Sequence, residues 1–208
     1  MTLRSALLHP LAKPLVFVLC LLPLAWLVWG AATDQLGANP AEALIRGLGD
    51  WTLRFLCLAL AVTPLRLHTR TPQLARYRRM LGLFVFFYAC LHLLAYGWLD
   101  MGLQVADIGR DILKRPFILV GFACWLLLLP LALTSTNRAV RALGGRAWQT
   151  LHRLVYLVAG LALLHFFWMR SGKNDYAEVA LYAAIIGVLL LERLFRYLKP
   201  KRPPALGG

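Results

Sequence analysis

Six long apolar runs, over 13–30, 51–67, 80–99, 116–133, 148–169 and 176–195, take up most of this chain of 208 residues. A hydrocarbon core about 30 Å thick takes about 20 mostly apolar residues per helical crossing, and a segment in lipid must satisfy its backbone hydrogen bonds within itself. Each run therefore predicts one transmembrane helix. Together they predict an all-α membrane protein, a six-transmembrane-helix bundle forming one integral domain over 1–208, with 199–208 as a flexible tail. The composition agrees, since 60% of the residues are hydrophobic and the mean hydropathy is +0.65, against a roughly half-apolar make-up in soluble domains. No stretch is left for a soluble catalytic domain, so any chemistry has to occur inside the bundle or on its short loops.

The formal net charge of +14 is distributed by topology. If the N-terminus is cytoplasmic, the tails and the second and fourth loops carry +15, the opposite side carries −2, and Arg54 inside the second run adds the remaining +1. Lys and Arg concentrated on one side, sixteen against six, follow the positive-inside rule, so both termini are expected in the cytoplasm. The basic side then meets anionic lipid headgroups, and no nucleic-acid partner is expected. The first run follows a basic start and ends in Gly30, Ala31 and Ala32, like a cleavable signal, but it exceeds the usual 7–15 residue apolar region. A retained first helix is expected.

Trp51, Trp98, Trp148, Trp168 and Tyr176 stand at run ends, where amphipathic rings favour the membrane interface. Cys20, Cys57, Cys90 and Cys124 fall one each inside the first four runs, in neither CxxC nor zinc-site spacing, and read as small buried apolar residues. No internal repeat stands out, and there is no GxGxxG or GxxxxGK[ST] loop, so no nucleotide signature is present. The third loop, 100–115, has room for a short interfacial helix.

Ionisable residues inside a span are costly and point to function. They are His92 in the third run, His152 and His165 in the fifth, and Arg54 in the second, with Arg78, Arg79 and Arg153 at the borders. His92 lies eight positions before Asp100 and His165 five before Arg170, so at about 1.5 Å per residue the two differ by only about 5 Å in depth. Two imidazoles at matched depth between apolar walls suit the axial positions of a haem iron. Phe84, Phe86, Phe87, Tyr88, Leu91, Leu161, Leu164, Phe166 and Phe167 are the candidate walls. The competing reading is a pair of histidines that only hydrogen-bond helices together; zinc lacks its third and fourth ligands. His152 lies about 20 Å along the helix from His165, and Arg78 falls within about 40° of the His92 face, so a second, inner site would involve His152, Arg78 and Arg79. In a straight helix His152 and His165 point about 140° apart, which a bend would relieve. Arg54 suits either a haem propionate or a snorkelling role. His9 and His68 read as solvated.

The segments RRMLGLFVFFYACLH, LTSTNRAVRALGGRAWQTLHRLVYL and LHFFW, with PLAWLVWGA and VTPLR before them, resemble the MsrQ (YedZ) family. These are haem-binding membrane subunits of bacterial methionine sulfoxide reductase systems, with a ferric-reductase-like transmembrane domain. The resemblance covers nearly the whole chain and implies b-type haem, one or two per chain. In the wider family two helices each carry two histidines. Here His92, His152 and His165 match, while Arg78 or Arg79 stands where the fourth would be, so the inner iron has His152 with an unusual partner or none, or the inner site serves a quinone or flavin. The resemblance also implies a bacterial inner-membrane location and electrons drawn from the quinone pool or a cytosolic flavin reductase. Their acceptor would be a periplasmic molybdopterin catalytic subunit that reduces methionine sulfoxide in oxidised envelope proteins. FMN enters by resemblance only. The chain would be a redox relay with its substrate chemistry on the partner, docking through 100–115 and 170–175. The alternatives are a stand-alone ferric or oxygen reductase membrane domain and a haem-free scaffold or transporter.

Overall fold

The computed structural model describes residues 7–171 and 176–198; the expected tail 199–208 and most of the loop 170–175 lie outside the described residues. Among those residues there is helix and no strand. The helices are α1 (Ala12–Ala32), α2 (Pro40–His68), α3 (Ala75–Ala95), α4 (Val105–Lys114), α5 (Pro116–Leu133), α6 (Asn137–Leu143), α7 (Gly145–His152), α8 (Leu154–Ser171) and α9 (Ala177–Leu198). A short 3-10 turn, Pro72–Leu74, leads into α3, and a π turn, Tyr96–Asp100, continues it.

Among the described residues, five stretches are long and apolar enough to cross a membrane: Ala12–Ala32, Pro40–His68, Pro72–Asp100, Pro116–Leu133 and Gly145–Ser171. The sixth expected run is helical, as α9, but is not among the five. Glu178 and the group Glu192, Arg193 and Arg196 close in on both ends of it. The uncharged stretch between them, 179–191, extends only about 20 Å at about 1.5 Å per residue.

Two boundaries differ from the apolar runs for local reasons. Helix α2 begins eleven residues before the run at 51–67, because Asn39 caps it. The Asn39 Oδ1 accepts the Glu42 N–H at 3.1 Å, Pro40 supplies a preset first turn, and Glu42 pairs with Arg46 at 2.5 Å. An acidic first turn suits the positive end of the helix dipole. Trp51, expected at the border, therefore lies about three turns inside α2. The fifth run is broken at Arg153. There Arg153 N–H bonds to Thr150 O at 3.1 Å and Tyr156 N–H to Arg153 O at 3.0 Å, tighter three-residue steps that separate α7 from α8. Gly144, at φ +76°, makes the turn between α6 and α7, a conformation costly for a residue with a Cβ.

Helices α2 and α3 form one antiparallel pair, α5 and α8 form another, and α3 packs on α5 to join them. Helix α1 rests against α2 and α3, and α9 against α2 and α8. The packed centre includes Leu56 and Leu60 of α2, Val85 and Tyr88 of α3, Val158 and Ala159 of α8, and Ile186 of α9. Large apolar side chains such as Trp26 and Val188 face outward, as a bundle surrounded by lipid tails permits. Association under those conditions relies on close van der Waals packing and interhelical hydrogen bonds. Tyr88, fully buried, supplies two such bonds. Its hydroxyl donates to Cys20 O at 2.8 Å and accepts the Leu24 N–H at 3.1 Å, the two ends of one helical rung of α1 beside Pro23.

Cys20, Cys57 and Cys124 are buried and Cys90 is half-buried, all as free thiols. Cys90 Sγ accepts the Trp125 Nε1–H at 3.2 Å, which ties α3 to α5.

Candidate functional site

His92 ends the regular part of α3 and His165 sits in the last turns of α8. The bundle brings their rings together, with centroids 6.3 Å apart and planes at 77°. The matched depth expected from sequence is thus a meeting of the two side chains.

Each ring is held from behind by a helix of its own pair. His92 Nδ1 bonds to Ile45 O of α2 at 2.8 Å, and His165 Nδ1 bonds to Phe117 O of α5 at 2.6 Å. A carbonyl only accepts, so both Nδ1 atoms carry the proton and both Nε2 atoms keep a free lone pair. That is the tautomer a metal-binding imidazole needs, with its other nitrogen anchored to fix the ring. The early start of α2 matters here, because Ile45 lies outside the apolar run and reaches His92 only as part of the extended helix.

The pair lines a cavity of about 760 Å³, within the roughly 300–1,000 Å³ span of ligand sites. Its depth is apolar, with Leu53, Leu56, Val85, Ala89, Leu128, Val158 and Ala162, and its mouth is polar, with Asn39, Arg46, Asp50, Asp100, Arg115 and Ser171. Of the nine walls expected from sequence, Phe166 alone lines it. Phe84 and Tyr88 turn the other way and pack with Phe55, Phe86 stacks on Trp125, and Phe87, Leu164 and Phe167 face outward. The real walls are the residues three and seven before each histidine, which share its helical face.

Those walls reveal a repeat that the one-letter string hides. Val85, Ala89 and His92 match Val158, Ala162 and His165 at a constant offset of 73, and Ile45, Gly49, Leu53 and Leu56 match Phe117, Gly121, Trp125 and Leu128 at an offset of 72. The pairs α2–α3 and α5–α8 are two versions of one unit facing each other across the cavity. The signal in the sequence is a sparse VxxxAxxH and GxxxΦxxL, with Φ apolar, lost among other apolar letters.

His152 is not brought to this pair. It stacks on Trp148 at 3.9 Å, and its Nε2 lies 3.1 Å from Thr134 Oγ1. The Thr134 hydroxyl proton goes to Pro130 O at 2.6 Å, so His152 donates from Nε2. Arg79 Nη1 donates to Asn137 Oδ1 at 2.6 Å, and Trp148 Nε1 donates to Thr134 O at 2.9 Å. The TSTN segment thereby ties the Arg78–Arg79 end of α3 to α7, a polar knot at the opposite end of the bundle from the cavity mouth. Arg54 reaches neither place. It lies over the Trp51 ring at 4.6 Å and donates from Nε to Tyr182 Oη at 3.1 Å, docking α9 on α2. His68 is exposed and 3.0 Å from Glu192 Oε1.

At the mouth, α4 folds across the opening with Ile112 in the lining. Asp111 accepts from Tyr96 Oη at 2.5 Å and pairs with Arg115, whose guanidinium holds the Asp111 carboxyl below the usual carboxylate value. Asp111 is thus committed within the fold, whereas Asp107, the other acid of α4, within the loop expected in docking, is half-exposed and pairs with Arg110 at 2.9 Å.

Residues 47–163 match the ferric reductase like transmembrane component family, a segment that contains His92 and His152 and stops two residues short of His165. The chain is 66% identical over 191 residues to the "Protein-methionine-sulfoxide reductase heme-binding subunit MsrQ" of Polaromonas naphthalenivorans, covering 92% of this chain and 87% of that one. The chain belongs to the MsrQ family. Proteins of the same name from Herminiimonas arsenicoxydans, 50% identical over 95% of this chain and 91% of theirs, and Ralstonia nicotianae, 52% identical over 93% and 89%, are similar to it along nearly their whole length. No solved structure matches. Among the described residues no group of three or more His, Cys, Asp or Glu side chains is placed to hold a metal ion, so the donor set suited to a metal here is the facing pair.

That pair fits a metal such as a haem iron, which His92 and His165 would hold. Metal–nitrogen bonds of about 2 Å to each of two imidazoles set ring centres about 6 Å apart, which is the separation observed. The protonated Nδ1 atoms, the free Nε2 lone pairs and the apolar space beside Ala89 and Ala162 meet the same requirement.

Proposed function

We propose that this chain is the b-type-haem electron-transfer subunit of a bacterial methionine sulfoxide reductase system, in which His92 and His165 would hold the iron of one haem. The observation that carries this reading is the facing pair, 6.3 Å between ring centres with each Nδ1–H anchored to a carbonyl. The names of the family's other members support it. When bound, haem supplies one-electron chemistry at its iron. The chain's own residues hold both rings in one tautomer, exclude water from the depth of the cavity with Leu53, Leu56, Leu128 and Val158, and place Arg46 and Arg115 at its polar mouth.

In this reading α9 completes a sixth crossing, both termini are cytoplasmic in the inner membrane, and the cavity mouth opens to the periplasm. Electrons from the quinone pool or a cytosolic flavin reductase arrive at the end holding His152, Arg78 and Arg79. They leave near α4 for a periplasmic molybdopterin subunit that repairs oxidised methionine. With Nε2 of His152 already donating to Thr134, the inner end suits a quinone or a flavin such as FMN better than a second iron ligand.

The test is a dithionite-reduced minus oxidised spectrum of the detergent-purified chain, with a pyridine haemochrome assay against protein concentration. One low-spin haem per chain, lost in both His92→Ala and His165→Ala, is expected. A spectrum unchanged in either variant overturns the reading.

A further inference from the structure

The two ligand rings rest on glycine. A Cβ built on Gly121 would come 2.7 Å from His165 Cε1 and 2.9 Å from its Nδ1, and one on Gly49 would come 3.1 Å from His92 Cε1 and 3.2 Å from its Nδ1. Each glycine stands four residues after the carbonyl that takes the Nδ1 proton, Ile45 before Gly49 and Phe117 before Gly121. On a helix that spacing puts carbonyl and glycine on one face, one turn apart.

Glycine in a helix interior is disfavoured relative to alanine because it has more backbone freedom to lose. Its presence at the same place in both halves of the repeat therefore calls for a local reason. The reason is space, since an imidazole can donate to a backbone carbonyl of a neighbouring helix only if nothing projects from the next turn. The other glycines on the ligand-bearing helices differ in this respect. A Cβ added to Gly82 on α3 or to Gly160 on α8 would meet nothing within 4 Å.

We propose that Gly49 and Gly121 are positioning residues for the haem pair, each a notch that seats one ligand ring against its carbonyl, and that the two notches together set the ring separation and the near-perpendicular ring planes. The proposal rests on the reading of His92 and His165 as iron ligands. It adds an asymmetry, because the Gly121 notch is the tighter one. A methyl group there has to push the ring from its carbonyl or the α5 helix from α8, while at Gly49 a few tenths of an ångström suffice.

The experiment compares Gly121→Ala, Gly49→Ala, Gly82→Ala, Gly160→Ala and His165→Ala in the full chain, expressed with ample haem and purified in detergent. The readouts are electron paramagnetic resonance of the ferric form, haem content per chain and the elution profile. Near-perpendicular imidazoles give a strongly anisotropic low-spin signal in the parent. Gly121→Ala is expected to lose that signal and to retain haem roughly 10- to 100-fold less tightly, the usual scale for disturbing a ligand's outer support, with added imidazole restoring a low-spin spectrum. Gly49→Ala is expected to shift the signal less, and Gly82→Ala and Gly160→Ala to leave it in place. Signals in Gly49→Ala and Gly121→Ala that match the two control glycine variants, while His165→Ala has lost its own, overturn the proposal and leave the ligand reading standing. A signal that persists in His165→Ala overturns the ligand reading and the proposal with it. If Gly121→Ala elutes as aggregate, Gly49→Ala decides by the same criterion.

Discussion

Tyr96 donates its hydroxyl proton to Asp111 Oδ2 at 2.5 Å, and Arg115 bonds to the same carboxylate oxygen. The π turn at the end of α3 and the helix α4 are thereby fastened to each other over the mouth of the cavity. Asp111→Asn should weaken that fastening by about 1–2 kcal/mol, the scale of a hydrogen bond to a charged group with some solvent access. Proteolysis of the 100–115 segment in the detergent-solubilised chain measures it, and equal cleavage rates in variant and parent would exclude the role.

The same carboxylate carries a pH dependence. Its value in the folded chain is depressed, first by the Arg115 hydrogen bond and further by Tyr96. Its contribution is therefore fully present above the ordinary Asp value of about 3.9 and is lost as pH falls through the lower folded value. The difference in α4 protection between parent and Asp111→Asn should be constant from neutral pH to about 5, begin to shrink below about 4, and vanish only once the pH has fallen below the depressed folded value. A difference that instead grew on acidification would contradict the sign.

Tyr88→Phe removes the hydroxyl that accepts from Leu24 N–H and donates to Cys20 O. With Pro23 already leaving α1 one donor short, the loss should cost about 1–3 kcal/mol. The thermal midpoint in detergent is the readout, and the ferric haem spectrum should not change, because Tyr88 faces α1 and not the cavity.

Arg54→Ala separates the haem-propionate role open to that residue on sequence alone from the docking role its contacts show. Loss of the Tyr182 hydrogen bond and the Trp51 contact should destabilise α9 docking by about 1–2 kcal/mol. Haem content should stay at the parent level. A drop in haem content with unaltered stability would instead place Arg54 on a propionate.

His152→Ala should keep the low-spin signal of the His92 and His165 pair and slow reduction by a quinol or reduced flavin added from the cytoplasmic side. Rapid-mixing absorbance at the haem band reads both at once. An unaltered reduction rate would remove His152 from the electron-accepting end.

The positions of the apolar runs, the charge asymmetry and the depth of His92 and His165 were all legible in the one-letter string. So was the capped start of α2, in the Asn39, Pro40 and Glu42 sequence, though an apolar count passes over it. The walls of the cavity were not legible. Proximity in sequence favoured Phe84, Phe87 and Phe167, and packing chose Ala89 and Ala162 instead. The helix-period pattern that separates an inward from an outward face in water fades when both faces are apolar.

The sequence by itself determined that this chain belongs in a membrane, where its helices run, and that two histidines lie at one depth, because hydropathy and rise per residue are properties of a single segment. The rotation of each helix was decided only by the tertiary structure. It set Tyr88 into the opened rung of α1, turned His152 toward Thr134, and seated His92 and His165 against Gly49 and Gly121. The histidine seats join elements more than forty residues apart, and a segment's own composition carries no information about which neighbour will leave it room.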